Sequence, residues 1–385
     1  MLNQIDYQHP FLKKQIISYL GNKRKLIPFI DEAINEIIRN DVRLANKQTE
    51  TITFLDAFSG SGVVSRLSRL KGFKTISNDL ELYANITAYA QSFNPDEADA
   101  LASQALKKLT GKGGNYHQLL DYLNQIDVTK KDESLFFSKH FAPSSLDCNP
   151  DKERMFFSPE NALWLDSLIE IIFFKEFSED ARCLVLGSLF FTAIRKSNTS
   201  GSFTGYLKTW SKNAMETMKL EPLPLVYGQK FCVSNSPAEK LFSDYDVPEI
   251  DIVYADPPYD VKQYSGYYSI FNRIALNNKK DPGPVEKNKS GRLVRDTVSD
   301  FNKIKTIADT FSEFVSSLKC KYLVLSYSNE GVLGCDRLRK ILEQNGKNKV
   351  VVKTKDHKRH TVRNAKKDTK VSVVENLFIV KMNCK

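Results

Sequence analysis

The alternation of apolar and polar positions along the chain indicates a mixed α/β protein. Within residues 22–40, Leu26, Ile30, Ile34 and Ile37 recur three or four positions apart, the spacing of one face of a helix. The segments "TITFLDAFSGSGVVSRLSRLKG" and "FKTISND" predict a strand, a glycine-rich turn, a helix and a second strand. A helix between two strands in this order predicts a βαβ unit and therefore a parallel sheet.

Strand character fades after this unit and returns much later. From residue 95 to residue 228, helical stretches such as "ENALWLDSLIEIIFF" alternate with polar, basic loops. Strands return in "QKFCVSN", "EIDIVYA" and "KYLVLSYS", and the pair "KVVVKTK" and "SVVENLFIVKM" encloses a basic loop. We therefore predict an α/β fold, a Rossmann-like, mostly parallel sheet that ends in an antiparallel C-terminal hairpin. Residues 1–94 and 229–385 would form it, and residues 95–228 would be an inserted, mainly helical domain.

Composition and charge narrow the class of protein. In this chain of 385 residues, Lys and Arg outnumber Asp and Glu by 56 − 46 = 10, which favours a polyanionic partner without choosing among DNA, RNA and acidic membranes. The longest apolar window, residues 184–194, is too short to cross a bilayer, and the N-terminal residues lack a signal-peptide pattern. Six scattered cysteines without a C-x-x-C pair predict reduced thiols. We expect a soluble, cytoplasmic protein.

A glycine motif marks the first predicted strand-to-helix turn. Asp56, Phe58, Gly60 and Gly62 form D-x-F-x-G-x-G, in which glycines let the backbone approach a ligand. Any tight turn can use glycines, so the motif alone leaves a structural role open. Asp79 ends the next predicted strand, where a carboxylate can bind a ribose diol, and its alternative role is to cap the following helix. The order of these elements favours the ribose role.

The sequence "DPPY" follows the apolar strand "DIVYA", at the strand end where open α/β sheets bind ligands. Pro257 and Pro258 have fixed φ angles and no N–H group, so Asp256 and the Pro257 carbonyl are acceptors and Tyr259 offers a stacking ring. Such a site suits an aromatic amine like that of adenine, because two acceptors can hold its protons and free the nitrogen lone pair for attack. A rigid turn is the alternative that this motif alone permits.

The segments "YLGNKRKLI", "FLDAFSGSG", "ND", "DPPY" and "LSYSNEG", in this order, resemble the Dam-like, alpha-group DNA adenine methyltransferases of bacterial restriction-modification systems. These enzymes transfer a methyl group from S-adenosylmethionine to the 6-amino group of adenine. The segments "SNTSGSFTGYLKTW", "DPPYDVKQYSGYY" and "ENLFIV" resemble a subset of type II modification enzymes. The likeness covers nearly the whole chain and implies a methyltransferase sheet, with residues 95–228 as the target-recognition domain.

The resemblance also implies roles for individual residues. Those expected to bind the cofactor are Tyr19, Gly21, Lys23, Asp56, Phe58, Gly60, Gly62 and Asp79. Those expected to be catalytic are Asp256, Pro257, Pro258 and Tyr259, and Tyr327 is expected to help enclose the target base. One position departs from the pattern, since Pro237 stands where relatives place an acidic residue before alanine. Asn235, Ser236 or a backbone carbonyl are the candidates to hold the cofactor's adenine instead.

A base stacked inside a duplex cannot reach such a pocket, so we expect the target adenine to be rotated out of the helix. Tyr264, Tyr267 and Tyr268 are candidates to line the pocket, with ordinary packing as the alternative for the last two. Candidates for DNA contact within the insertion are Asn198, Thr199, Lys208 and Lys212. Basic residues of the C-terminal hairpin are phosphate-contact candidates or a solvated face, namely Lys353, Lys355, Lys358, Arg359, Arg363, Lys366, Lys367 and Lys370.

These predictions converge on one enzyme and its partner. The expected substrate is double-stranded DNA, and a restriction endonuclease encoded nearby would recognise the same site without a stable complex. We expect a monomer or weak dimer. His357 and His360 have no third ligand in view, so no metal is predicted. Two alternatives stay open: a ribosomal RNA purine-amine methyltransferase, and a catalytically silent DNA-binding subunit.

Overall fold

A computed structural model describes residues 4–17, 19–127, 135–174, 177–244, 247–276, 285–292, 298–347, 349–358 and 372–383. The strands of these residues are, in chain order, β1 (Thr53–Asp56), β2 (Lys74–Asn78), β3 (Cys232–Ser234), β4 (Ile250–Ala255), β5 (Cys320–Ser328), β6 (Val351–Lys358) and β7 (Ser372–Lys381). Every strand predicted from the sequence is present.

The helices of the described residues are, in chain order, α1 (Pro10–Lys13), α2 (Ile27–Asn40), α3 (Val42–Ala45), α4 (Val63–Leu70), α5 (Leu82–Ala90), α6 (Pro95–Thr110), α7 (Tyr116–Asn124), α8 (Phe136–His140), α9 (Pro159–Phe174), α10 (Glu179–Arg195), α11 (Lys212–Met215), α12 (Leu241–Asp244), α13 (Tyr264–Tyr267), α14 (Ser269–Leu276), α15 (Ile307–Ser317) and α16 (Cys335–Asn345). Short 3₁₀ turns occur at Arg24–Leu26, Thr49–Thr51, Ala238–Lys240 and Asp300–Asn302.

One sheet organises the molecule, with strand order β3-β2-β1-β4-β5-β7-β6. Strands β1 to β5 run parallel to one another, whereas β7 runs antiparallel to both β5 and β6. This confirms the predicted mixed sheet with an antiparallel C-terminal hairpin. Strands β2 and β3 are added on one side of β1, and β4 and β5 on the other. The carboxyl ends of β1 and β4 therefore border the crevice in which open α/β sheets bind ligands.

The sheet is covered on both faces. Phe54 and Tyr254 pack with helices α2 and α4 on one face, while Leu55 and Val253 pack with α15 and α16 on the other. All six residues of β4 are buried, which explains why residues 252–255 do not alternate between apolar and charged side chains, whereas Asp251 is paired with Lys47 and Lys321. Burial on both faces fixes the strand register and therefore the positions of the side chains at the strand ends.

The helices between residues 95 and 228 share a hydrophobic core with elements of the α/β part. Leu119, Leu165 and Phe190 belong to the same buried cluster as Tyr83 of α5 and Phe271 of α14. From residue 95 the chain changes from alternating strands and helices to helices, but the hydrophobic core continues across this point. The division into domains stays a prediction. Among the described residues, no helix combines the length and apolar character needed to cross a membrane.

Candidate active site

A single cavity lies at the carboxyl ends of β1, β2, β3 and β4. Its walls include Asp56 at the end of β1, Asp79 after β2, Ser236 after β3 and Asp256 after β4. The chain segment before α2 closes one side through Tyr19 and its neighbours. The two acids that the sequence placed at separate strand ends, Asp79 and Asp256, thus open onto one continuous space.

The glycine turn after β1 is tightly constrained. Gly60 and Gly62 have φ angles of +49° and +72°, which side chains other than glycine rarely adopt. A Cβ atom on Gly60 would lie 2.8 Å from a ring carbon of Tyr19, so glycine is required here for close approach as well as for conformation. Phe58, Gly60 and Tyr19 line the cavity, whereas Gly62 is the residue directly before α4.

Asp79 is held by the backbone on both of its oxygens. Its Oδ2 accepts a hydrogen bond from the Gly60 N–H at 2.7 Å, and its Oδ1 accepts one from the Glu81 N–H at 2.8 Å. Burial raises the pKa of Asp79 to about 6, against the opposing effect of these backbone donors. The carboxylate therefore supports the start of α5 and also faces the cavity, so its two suggested roles are compatible.

Asp56 has one carboxylate oxygen without a partner. Its Oδ2 accepts hydrogen bonds from the Ser65 hydroxyl at 2.7 Å and the Ser65 N–H at 3.0 Å. Its Oδ1 is buried and has no hydrogen-bond partner in the described part of the chain. Burial raises the pKa of Asp56 to about 7. A buried acceptor on a cavity wall is suited to a ligand's donor group, because an unpaired polar atom costs free energy.

Lys23 lies between two buried carboxylates. Its Nζ is 2.9 Å from Asp256 Oδ1 and 3.1 Å from Glu375 Oε1, and only 4% of its side chain is exposed. Burial alone would lower the pKa of Lys23, but the charges of Asp256 and Glu375 outweigh it and raise that pKa. The resemblance implied that Lys23 binds the cofactor; in the structure its ammonium group contacts Asp256.

The pKa of Asp256 is raised to about 7, chiefly by burial, while Lys23 opposes the rise and Glu375 adds to it. Glu375 in turn accepts a hydrogen bond from the Ser326 hydroxyl at 2.6 Å. Sequence reasoning missed Glu375, although a carboxylate inside the apolar run "SVVENLFIVKM" was a visible signal. A buried acid in such a strand requires a partner.

The rings around "DPPY" divide into cavity walls and supports. Tyr259 and Tyr264 line the cavity with Pro257 and Pro258. Gly21 allows a close approach, because a Cβ atom there would lie 2.9 Å from the Tyr259 hydroxyl.

Tyr19 stacks between Tyr264 and Tyr268, with ring centroids 5.2 and 5.1 Å away. Tyr268 is fully buried, and its hydroxyl accepts a hydrogen bond from the Leu20 N–H at 2.8 Å. Its position matches the packing alternative.

Tyr327 is placed behind the cavity wall instead of on it. The side chain is fully buried and packs edge-on against Tyr259, with ring centroids 6.3 Å apart, and against Phe311. Its hydroxyl accepts a hydrogen bond from the Leu333 N–H at 3.2 Å. In this arrangement Tyr327 supports the ring of Tyr259 and does not itself face the space where a base would lie.

Three further predicted residues have structural contacts. Asn198 is fully buried, where its amide donates to the Leu207 carbonyl at 2.9 Å and accepts from the Ser211 N–H at 2.9 Å. Asn235 is exposed and donates to the carbonyls of Asp79 and Leu80.

Lys208 is 64% exposed and pairs with Asp151 at 3.1 Å. Among the basic residues predicted in the hairpin, Lys353 pairs with Glu36, Lys355 lies over the ring of Phe29, and Lys358 ends β6. The others lie outside the described part of the chain, as does His360; they are Arg359, Arg363, Lys366, Lys367 and Lys370.

Comparisons with known proteins identify the family. Residues 19–341 match the family model of D12 class N6 adenine-specific DNA methyltransferases. The chain is 27% identical over 336 residues to the type II methyltransferase M.NlaIII of Neisseria lactamica, covering 86% of this chain and 89% of that protein. It is 28% identical over 350 residues to the type II methyltransferase M.CviAII of Paramecium bursaria Chlorella virus 1, covering 89% and 92%.

Other relatives are longer than this chain. The type II methyltransferase M.FokI of Planomicrobium okeanokoites is 28% identical over 341 residues, which cover 85% of this chain and 47% of that protein. The chain therefore spans about half the length of that relative. The family model covers well over half of the present chain, and it agrees with the resemblance carried by the motifs. The chain belongs to the D12 class of N6 adenine-specific DNA methyltransferases.

Proposed function

We propose that this enzyme transfers the methyl group of S-adenosylmethionine to the 6-amino group of an adenine rotated out of duplex DNA. We further propose that it is the modification enzyme of a type II restriction-modification system. One observation carries the proposal: Asp79 and Asp256, each at the end of its own strand, open onto the same cavity. A nucleoside held at the first acid can therefore reach an amine held at the second.

The residues of the cavity fit the cofactor. Asp79 has acceptor capacity for the ribose hydroxyls, and the unpartnered Oδ1 of Asp56 suits the ammonium group of the methionine end. Gly60 and Phe58 lie on the wall between them. When bound, the cofactor supplies an electrophilic methyl group on a positively charged sulfur. A cavity lined by several carboxylates also favours that charge.

Asp256 and the Pro257 carbonyl would hold the target amine. Because neither proline has an N–H group, the segment presents acceptors to the two amino protons and leaves the nitrogen lone pair available for attack. Lys23 fixes the orientation of Asp256 through the contact at 2.9 Å. With a pKa of about 7, Asp256 can also take up the proton that the amine loses once its new N–C bond has formed.

Tyr259 gives the extruded base a stacking surface. Rotating a base out of a duplex costs a few kcal/mol, and stacking on an aromatic ring returns about 1 to 3 kcal/mol. Tyr327 packs edge-on against this ring and is itself packed edge-on by Phe311, so little side-chain freedom remains to be lost when the base binds. We expect loss of the Tyr259 ring to weaken base capture more than cofactor binding.

The proposed partners follow from the reaction. The substrate is double-stranded DNA, and a restriction endonuclease encoded nearby would recognise the same site without forming a stable complex with this chain. The working form would be a monomer or weak dimer. The names of M.NlaIII and M.CviAII as type II methyltransferases support the biological role.

The test uses the substitution Asp256→Ala. We expect this variant to bind S-adenosylhomocysteine and duplex DNA as the wild type does, because Lys23 keeps Glu375 as a partner. Transfer of labelled methyl groups to DNA should fall by several orders of magnitude. Mapping methylated adenines in a bacterial host that expresses each form gives the recognition site at the same time. Substantial residual transfer by the variant would contradict the role of Asp256.

A further inference from the structure

The order of the strands predicts where the cofactor's adenine lies. Asp79 follows β2 and Asp256 follows β4, with β1 between these two strands, whereas β3 lies on the other side of β2. If the ribose is at Asp79 and the reactive methyl group points towards Asp256, the base must extend the opposite way. This reasoning rests on the proposed function, and it places the base against the loop that follows β3.

That loop lacks the expected acid at its usual position. Pro237 has no side-chain group that can accept a hydrogen bond, although it lines the cavity with Ala238 and Glu239. The hydroxyl of Ser236 donates to Asp244 at 3.1 Å, and the amide of Asn235 is directed to the carbonyls after β2. The hydroxyl hydrogen of Ser236 and the amide N–H groups of Asn235 are therefore already used in hydrogen bonds within the protein.

Glu239 differs from the other carboxylates of the cavity wall. Those with contacts to other residues are Asp56 with Ser65, Asp79 with Gly60, Glu81 with Asn272, Asp256 with Lys23 and Asp300 with Lys303. Glu239 has no ion pair and no side-chain hydrogen bond to another residue among the residues described. It is partly buried in the 3₁₀ turn Ala238–Lys240.

The surroundings of Glu239 make a donor favourable. Burial raises the pKa of Glu239, and the charges of Asp300 and Glu313 raise it further. A carboxylate in this setting is stabilised by any N–H group that reaches it, because hydrogen bonds to charged groups are stronger than those between neutral groups. An adenine amine entering from the Asp79 side would supply such a group.

We infer that Glu239 accepts a hydrogen bond from the 6-amino group of the cofactor's adenine, and so takes the role of the acid that is absent at Pro237, two positions earlier in the chain. Glu239 would then be a specificity-determining residue of the cofactor site. A 6-amino group donates to the carboxylate, whereas the oxygen of a 6-oxo purine is repelled by it. The enzyme should therefore discriminate between these two bases at the cofactor position.

Binding measurements with two ligands test this inference without any turnover. The ligands are S-adenosylhomocysteine and S-inosylhomocysteine, which carry a 6-amino and a 6-oxo group, titrated calorimetrically into wild type, Glu239→Ala and Glu239→Gln. Alanine should weaken the adenosyl ligand about tenfold and reduce the preference between ligands. Glutamine should bind the inosyl ligand more tightly than the wild type does, because its amide can donate to the 6-oxo group.

Glu313→Gln is the matched control. It removes a neighbouring charge from an exposed side chain that is not part of the cavity wall, so the preference between the ligands should stay at the wild-type value. If the wild type binds neither ligand, the proposed function itself fails. If it binds the adenosyl ligand and both Glu239 variants keep the wild-type preference, only the assignment of Glu239 is overturned.

Discussion

At the scale of single residues, one ammonium group between two buried carboxylates defines the chemistry of Asp256. Lys23 touches both Asp256 and Glu375, so the buried trio carries one more negative charge than positive when all three are ionised. Burial of a carboxylate disfavours its charged form, and a cation at 2.9 Å favours it. Lys23 therefore keeps Asp256 able to accept hydrogen bonds at a pH at which burial alone would protonate it.

The rate of methyl transfer should rise as pH rises through about 7, because Asp256 accepts amino protons only when ionised. In Lys23→Met the cation that lowers the pKa of Asp256 is gone, so the rise of the transfer rate with pH should occur at higher pH than in the wild type. Single-turnover transfer with saturating DNA and cofactor measures both profiles. Lys25→Met is the control, since Lys25 is exposed on the same segment. If the transfer rates of the wild type and Lys23→Met rise over the same pH range, this role of Lys23 is contradicted.

At the scale of elements, Asn198 stabilises the segment that follows α10. Its side chain joins Leu207 and Ser211, and its own backbone N–H donates to the Phe156 carbonyl at 2.8 Å. A buried side-chain amide whose N–H group and oxygen both have hydrogen-bond partners is suited to holding a loop in one conformation. Within "SNTSGSFTGYLKTW", the asparagine at position 198 is thus explained by its hydrogen bonds within the loop.

Asn198→Ala should lower the free energy of unfolding by about 2 kcal/mol or more, because two buried backbone groups lose their partners. The sequence at which adenines are methylated should stay the same, since Asn198 is fully buried. Thermal unfolding and methylation mapping measure these two effects. Lys212→Ala, an exposed change in the same region, should alter stability little. A changed recognition site in Asn198→Ala, without loss of stability, would restore the role in base reading.

At the scale of the whole molecule, a basic surface joins the helical segment to the region after α14. Lys208 and Lys289 both pair with Asp151, at 3.1 and 2.7 Å. Arg154 donates to the carbonyls of Glu286 and Asn288, which fastens residues 285–292 to the helical segment. Exposed pairs of this kind contribute little to stability, so their lysines are free to exchange Asp151 for a phosphate.

The double substitution Lys208→Ala and Lys289→Ala should weaken binding to cognate and non-cognate duplexes alike. The slope of log affinity against log salt should decrease by about 0.9 for each DNA phosphate that the variant no longer neutralises. Binding of S-adenosylhomocysteine should not change. Lys74→Ala is the control, because Lys74 is exposed at the amino end of β2, away from the cavity. Salt slopes that match the wild type would exclude this surface from the DNA interface.

The sequence by itself determined the order of the elements and the position of Asp79 and Asp256 at strand ends. Local periodicity specifies each strand, and parallel connections bring successive carboxyl ends to one edge of the sheet, so the cavity could be predicted before any contact was known. Only the tertiary structure decided that Lys23 meets Glu375, that Tyr327 lies behind Tyr259 and that Asn198 faces inward. These outcomes depend on packing between segments remote in the chain, because burial determines which polar groups must find partners and which remain free to bind a ligand.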